Sequence, residues 1–284
     1  MGLPAAHRFP ARKYRLLREC LEGDSRFDFW PAPLAERGQL VLAHDPAYVD
    51  GFLEGTLDAG AMRRIGFPWS PALVRRTLAS AGGTLAATET ALRDGQAGTL
   101  AGGTHHAFYG EGSGFCVFND IAIAIAYLRA ETALRRFAVI DLDVHQGDGT
   151  AQMFAGDAGV FTLSLHGRNN FPFRKQASTV DVALDDHTGD DEYLAALNEV
   201  LPRAFAFAPE FVFYQAGVDP LREDTLGKLD LTMAGLAERD RRVFRAARAH
   251  GAPLVITIGG GYADPIECTA AAHAQTYRLA VEIV

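Results

Sequence analysis

The sequence predicts an α/β fold of three layers, a mostly parallel central sheet flanked by helices, and two observations point to it. Short runs rich in β-branched and aromatic residues alternate along the chain with longer segments of helical periodicity. Several of these runs are apolar at every position, as strands covered on both faces are. Strand–helix–strand alternation then implies right-handed crossovers between parallel strands. The chain has 284 residues, 48% hydrophobic and 22% charged, an ordinary globular balance. With no repeat, low-complexity tract or Pro/Ser linker, it reads as one domain over residues 1–284.

In chain order, the expected strands are Leu40–Ala43, Gly98–Ala101, Phe137–Leu142, Val160–Leu165, Phe211–Gln215 and Leu254–Ile258. Helices announce their starts. Asp45-Pro46 and Ser70-Pro71 pair an N-cap with a proline at the first helical position. Asn119-Asp120 opens IAIAIAYL, Asp190 or Asp191 opens DEYLAALNEVL, and Thr232 opens a helix to about His250. The charges from Glu238 to Arg248 read as a solvated face. Gly82-Gly83, inside the helical pattern after Ser70, implies either close packing or a break.

Composition narrows the classes of function. A formal net charge of -8 lacks the basic face that phosphate contacts need, so no nucleic-acid partner is expected. Cys20, Cys116 and Cys268 are odd in number and far apart, which suggests no disulfide framework and favours a reducing compartment. The N-terminus lacks an apolar signal core, and Ala6 stands where a myristoylation signal wants Ser or Thr. No stretch approaches 18 apolar residues, so the expectation is a cytoplasmic protein without membrane spans. Oligomeric state is not readable from the sequence.

The polar residues able to do chemistry collect at the carboxyl ends of the expected strands, where open parallel sheets bind ligands. TLAGG leads to Thr104-His105-His106, and FAVIDL leads to Asp141, Asp143 and His145 with Asp148 just beyond. FVFYQAG leads to Asp219, LVITI leads to Gly259-Gly260-Gly261-Tyr262, and a fifth run ends at Ser164-Leu165-His166. In extended backbone, Asp141, Asp143 and His145 project to one side. Carboxylates facing one way repel each other unless a cation intervenes. Asp143, His145 and Asp219 can therefore supply two oxygens and one nitrogen to a divalent ion and leave a place for water. Asp143 or His145 alone reads equally well as a helix cap; the set of three carries the metal reading.

Two further carboxylates, Asp141 and Asp148, remain. Each can orient one imidazole of the His105-His106 pair by accepting its N–H. Three glycines let the backbone approach a ligand and leave Tyr262 on a turn where its hydroxyl can meet a developing oxyanion. Taken without the other segments, this run also reads as a simple turn with a packing tyrosine. Cys116 reads as a small buried hydrophobe rather than a nucleophile.

GGTHHAF, GFCVFND, VIDLDVHQGDGT, VFTLSLH, YQAGVDP and GGGY resemble, in order, the successive motifs of the histone deacetylase superfamily, and they span Gly102 to Tyr262. That group also includes acetoin-utilisation proteins and acetylpolyamine amidohydrolases. DVHQGDGT, NFPFRKQ, TGDDEYL and LGKLDLTMAGLAERDRRVF are most similar to its class four branch and bacterial relatives. The resemblance implies the arginase/deacetylase fold and a metal-dependent hydrolase that removes acyl groups from lysine side chains of proteins.

Carried onto this sequence, it implies zinc bound by Asp143, His145 and Asp219. The hard donor set also admits Fe(II) or Mn(II). His106, supported by Asp148, is implied as general base and acid, His105 with Asp141 as its electrostatic partner, and Tyr262 as oxyanion stabiliser. A structural potassium ion would use Asp141 and Ser164 with backbone carbonyls of Asp143, His145 and Leu165. Gly114 and Phe115 would line the acyl-lysine channel, with Phe171 or Phe173 facing them and Gly260 and Gly261 beside the substrate. Arg12 falls near an arginine that some relatives keep under the site. Gln146, where many relatives have a second histidine, agrees with class four, whereas Asp148 departs from the Asn of some class four members.

Rival expectations are deacetylation of acetylpolyamines or other small amides, an arginase-like dinuclear site, and a non-catalytic acyl-lysine binding module. The dinuclear site needs a second Asp two residues before Asp219, where this chain has Gly217.

Overall fold

The computed structural model describes residues 7–283, and its centre is a six-stranded sheet in which every pairing is parallel. The elements in chain order are α1 (Arg12–Leu21), α2 (Arg37–Leu40), α3 (Pro46–Glu54), α4 (Ala59–Ile65), α5 (Pro71–Asp94), β1 (Gln96–Gly98), α6 (Asp120–Glu131), β2 (Phe137–Asp141) and α7 (Asp148–Met153). They continue with β3 (Val160–Gly167), β4 (Val180–Leu184), α8 (Asp190–Ala206), β5 (Phe211–Gln215), α9 (Met233–His250), β6 (Leu254–Thr257) and α10 (Ile266–Ile283). The strand order is β1-β6-β5-β2-β3-β4, so the strands that lead into the histidine, aspartate and glycine motifs are neighbours.

The apolar runs become strands because both faces are covered. In β2, Ala138 and Ile140 pack into one core with α8, α9 and α10, while Phe137 and Val139 pack into another with α3, α5 and α6. β5 divides in the same way, Val212 and Tyr214 to the first core and Phe211 and Phe213 to the second. Successive side chains on a strand point to opposite faces, so a strand without polar positions needs two apolar layers.

Helix starts follow their capping residues. Asp45 accepts from Ala47 N and Tyr48 N at α3, Ser70 from Leu73 N at α5, Asn119 from Ala122 N at α6 and Thr232 from Gly235 N at α9. The Gly82-Gly83 pair is close packing and not a break: α5 runs through it. A Cβ on Gly82 would stand 2.1 Å from Pro33 O, and one on Gly83 2.9 Å from Thr99 Oγ1.

Four expectations need correction. The strand expected at Gly98–Ala101 is found earlier, at Gln96–Gly98, and residues 99–101 lie outside the sheet. Residues 40–43 are not a strand; Leu40 ends α2, and Glu36 N donates to Gln39 Oε1 at 2.9 Å, closing a helical turn before this short apolar run can extend. β4 was not anticipated, because VDVAL is a short edge strand with a mixed pattern of exposure. The charged stretch of α9 is not wholly a solvated face, since Arg239 and Asp240 have no exposure. Asp240 accepts from Arg239, Tyr214 and Thr276, which satisfies its buried charge. Among the described residues, no helix is long and apolar enough to cross a membrane. The N-terminal reading at residues 1–6, Ala6 included, lies outside the described residues.

His44 ties two pieces of the fold that reach the site. Its Nδ1–H donates to Tyr109 O at 3.1 Å and its Nε2 accepts from Asn119 N at 2.8 Å, so the ring is neutral. Burial holds its pKa down from 6.5 to about 4. Above about pH 6.5 this group is neutral in both folded and unfolded chains. As pH falls from about 6.5 to about 4 the unfolded chain takes up the proton first, and stability declines by up to about 3 kcal/mol. Urea unfolding should therefore show a loss between pH 7 and pH 5 that is shallower in His44→Asn; equal slopes would contradict this role. Gly82→Ala should lower stability by about 1–3 kcal/mol, because the clash is with backbone and outweighs alanine's helix preference of about 1 kcal/mol. Gly38→Ala, where a Cβ meets nothing within 4 Å, should be neutral or slightly stabilising in the same unfolding assay.

Candidate metal centre

β2 ends at Asp141, and the chain then leaves the sheet through a bend over residues 143–145, which presents Asp143 and His145 at its carboxyl edge. β5 is its neighbour, and the segment after it carries Asp219 to the same edge. His145 Nδ1 lies 3.0 Å from Asp143 Oδ1 and 3.0 Å from Asp219 Oδ2. One ligand atom from each of the three residues falls within 4.8 Å of the others, and all three residues are buried. The other carboxylate oxygens are held by backbone: Asp143 Oδ2 accepts from Gly260 N at 2.7 Å, and Asp219 Oδ1 from Val144 N at 2.8 Å.

Two carboxylates with no exposure require positive charge between them. Burial raises Asp219 to about 7, with Asp143 adding repulsion. Against burial, Asp219 and Asp143 hold His145 up at about 10. A proton on His145 thus stands where a cation would, and the buried O, N, O donor set suits a divalent ion.

Glycines make room for this cluster. A Cβ on Gly260 would lie 1.9 Å from Asp219 Oδ2, and one on Gly217 would lie 2.2 Å from Asp143 Oδ2. The approach of backbone to carboxylate is thus closer than any side chain permits.

Beside the cluster stand two imidazole–carboxylate pairs. His105 Nδ1 donates to Asp141 Oδ2 and His106 Nδ1 to Asp148 Oδ1, each at 2.7 Å. The two rings are 4.1 Å apart. Burial opposes charge on both, but Asp141 and Asp143 bring His105 up to about 9. Burial and the neighbouring His105 hold His106 down at about 4 despite Asp148. The pair therefore separates into one imidazolium and one neutral ring.

Tyr262 is half-buried, with its ring edge-on to His145 at 6.4 Å. Burial, with Asp219 and Asp143 nearby, keeps its hydroxyl protonated. Phe171 meets the His106 ring edge-on at 4.9 Å, and a Cβ on Gly114 would stand 3.0 Å from Phe171 Cε1. Phe115 adopts φ 66, a conformation unusual outside glycine, and its N–H donates to Ile65 O at 2.9 Å. Gly114 and Phe115 line a slot over the cluster, with Phe171 packed against Gly114 and the His106 ring, whereas Phe173 is 89% exposed. The cavity runs from this slot past Asp143 and His145 to Tyr14 and Arg76. Cys116 lines it, and burial pushes its thiol well above the ordinary range.

Ser164 is the register partner of Asp141 across β2 and β3, and its Oγ lies 3.0 Å from His166 Nδ1. Leu165 is fully buried in β3. Among the described residues, the carbonyls of Asp143 and His145 accept no hydrogen bond.

Several supporting residues were not legible beforehand. Arg12 is on the surface, paired with Glu267, and the buried cation is its neighbour Lys13. Lys13 Nζ donates to Gly259 O at 2.9 Å and lies 5.2 Å from the centre of the Tyr262 ring. Asp224 accepts from Tyr262 N at 2.6 Å, and Asp120 accepts from Gly103 N and Thr104 N, bracing the turn before His105. Arg239 Nη1 donates to Leu142 O and Gly217 O beneath the two ligand strands. Lys13 was readable only as a charge in the amphipathic start of α1; nothing local marks Arg239 as buried.

Residues 7–278 match the histone deacetylase domain. An uncharacterised protein of Picosynechococcus is 44% identical, covering 99% of this chain and 95% of that protein. The acetoin utilization protein AcuC of Bacillus subtilis is 31% identical over 91% of this chain and 73% of its own. Among solved structures, a histone deacetylase homologue from Aquifex aeolicus superposes with a TM-score of 0.83 at 27% identity, covering 98% of this chain and 80% of that one.

An ion bound in the native state should stabilise it by mass action. Adding Zn2+ or Co2+ to metal-free protein should raise Tm by several degrees, and Asp219→Ala should abolish the shift. An equal shift in that variant would place the ion elsewhere.

Proposed function

The chain belongs to the histone deacetylase family, and from that premise we propose that it hydrolyses acyl-lysine side chains of proteins, with 1–284 acting as one catalytic domain and one zinc ion held by Asp143, His145 and Asp219. The observation that carries the reading is the pairing of a buried O, N, O cluster with two histidines, each held by its own carboxylate at 2.7 Å, at the base of an aromatic slot. Fe(II) or Mn(II) fits the same donors. A structural potassium ion at Asp141, Ser164 and the carbonyls of Asp143, His145 and Leu165 is consistent with the free carbonyls of Asp143 and His145.

When bound, the divalent ion supplies Lewis acidity, bringing the pKa of water from 15.7 towards ~7 and polarising the amide carbonyl. His106, neutral at pH 7, takes the proton from the attacking water and returns it to the departing amine. Such general acid–base work is typically worth about 10²–10⁴-fold. Asp148 fixes the His106 tautomer, leaving Nε2 to face the reaction. His105, held by Asp141, acts as the electrostatic partner of His106 where negative charge develops on the substrate. Tyr262 donates its hydroxyl to the oxyanion, and Lys13 beneath the glycine turn holds the backbone that carries it.

Gly114, Phe115 and Phe171 suit the flat-sided, aliphatic stem of an acylated lysine. A negatively charged protein also accommodates cationic partners. The dinuclear alternative is disfavoured, because a side chain at Gly217 would collide with Asp143. A binding module without turnover would need neither the His–Asp pairs nor Tyr262.

The test is a panel of lysine peptides carrying acyl groups of increasing length, with zinc-loaded protein and Asp219→Ala as control. Hydrolysis by the first and none by the second supports the reading, and binding without turnover would defeat it. Tyr262→Phe should retain metal and fold while kcat falls about 10²–10³-fold, the usual loss for one oxyanion donor.

A further inference from the structure

We infer that Gln146 is a positioning residue that latches the aromatic wall of the slot to the turn carrying His145 and Asp148, and so sets which acyl-lysine substrates fit. The inference rests on the acyl-lysine reading of the slot.

Phe171 belongs to the connection between β3 and β4, which has no regular secondary structure from Arg168 to Thr179. Such a segment holds one position only if its backbone groups are tied. Gln146, 1% exposed, ties it with a single amide. Its Oε1 accepts from Gln176 N at 2.8 Å, its Nε2 donates to Gln176 O at 2.7 Å, and Nε2 also donates to Asp181 Oδ1 at 2.7 Å. Asp181 Oδ2 accepts from Ser178 N at 2.7 Å, extending the tie along the same strand entry. Lys175 then closes the segment on itself, donating from Nζ to Asn170 O at 2.6 Å and to Pro172 O at 2.8 Å, on either side of Phe171.

The other end of the latch is the site. Gln146 lies between the ligand His145 and Asp148, and Asp148 N donates to Gln146 O at 2.8 Å. The same residue therefore references the wall to both the cation cluster and the histidine that takes the proton. Slot width is set against the reacting atoms and not against the surface. A side chain without both a donor and an acceptor cannot replace it, because Gln176 offers one of each.

The experiment compares Gln146→Ala with wild type in two ways. Limited trypsin cleavage after Arg174 and Lys175 reads opening of the segment without reference to activity, since cleavage tracks the open population. We expect cleavage there to rise about tenfold or more, in step with the lost ties. Steady-state kinetics on an acetyl-lysine peptide should show KM raised about tenfold with kcat within about threefold, the pattern of lost binding common to ground and transition states. Gln146→Glu, which sets two carboxylates face to face and leaves Gln176 O without its donor, should behave like Gln146→Ala. Asp181→Ala, at an exposed position, should give a smaller change of the same kind and keeps the test open if Gln146→Ala fails to fold.

Unchanged cleavage in these variants would overturn the latch. A fall in kcat with KM and cleavage unmoved would overturn it too, assigning Gln146 to the His145–Asp148 turn alone. Wild-type protein without turnover would defeat the functional reading, and the cleavage comparison would still judge the latch.

Discussion

Asp143 and Asp219 are two fully buried carboxylates that share one imidazole nitrogen at 3.0 Å each, and the surrounding structure answers to that arrangement. Removing two like charges from water is tolerated only with opposite charge and hydrogen bonds at hand. Backbone N–H groups of Val144 and Gly260 occupy the outer lone pairs. The space they need excludes any side chain at Gly217 or Gly260. Parallel pairing of β2 with β5 makes the meeting possible, because both strands run their carboxyl ends to one edge.

The buttresses of this cluster come from every layer of the fold. Lys13 on α1 holds Gly259 O, Arg239 on α9 holds the carbonyls of Leu142 and Gly217, and Asp120 on α6 holds the turn before His105. Each charged group reaches the site from a different element, buried and bonded to the backbone that carries the site residues. Helices that cover the sheet therefore also hold the site, and packing and chemistry are not separable here. The two histidines show the result: similar rings 4.1 Å apart differ in charge because one faces Asp141 and Asp143 and the other is buried beside a cation.

The sheet was legible because strands covered on two sides have no polar positions, and Phe137–Asp141, Phe211–Gln215 and Leu254–Thr257 stand out for that reason. Residues within a few positions of a strand end were legible too, since the carboxyl edge collects them. What escaped depends on distant partners. Residues 40–43 have strand composition, yet the Glu36–Gln39 turn makes them helix end and turn. Arg239 looks like any charge on an amphipathic helix until α9 is laid against β2 and β5. Lys13 and Arg12 are adjacent, and only the rotation of α1 decides which faces inward. The position of Phe171 inside the slot and Phe173 outside it depends on the backbone path of an irregular segment, which periodicity does not encode.

X-ray absorption on metal-loaded protein reads the coordination shell itself. One ion per chain is expected, with a shell of light donors only, oxygen and nitrogen at about 2.0–2.2 Å including one imidazole. A sulfur neighbour at about 2.3 Å, which would bring in Cys116, or a second metal close by, would contradict it.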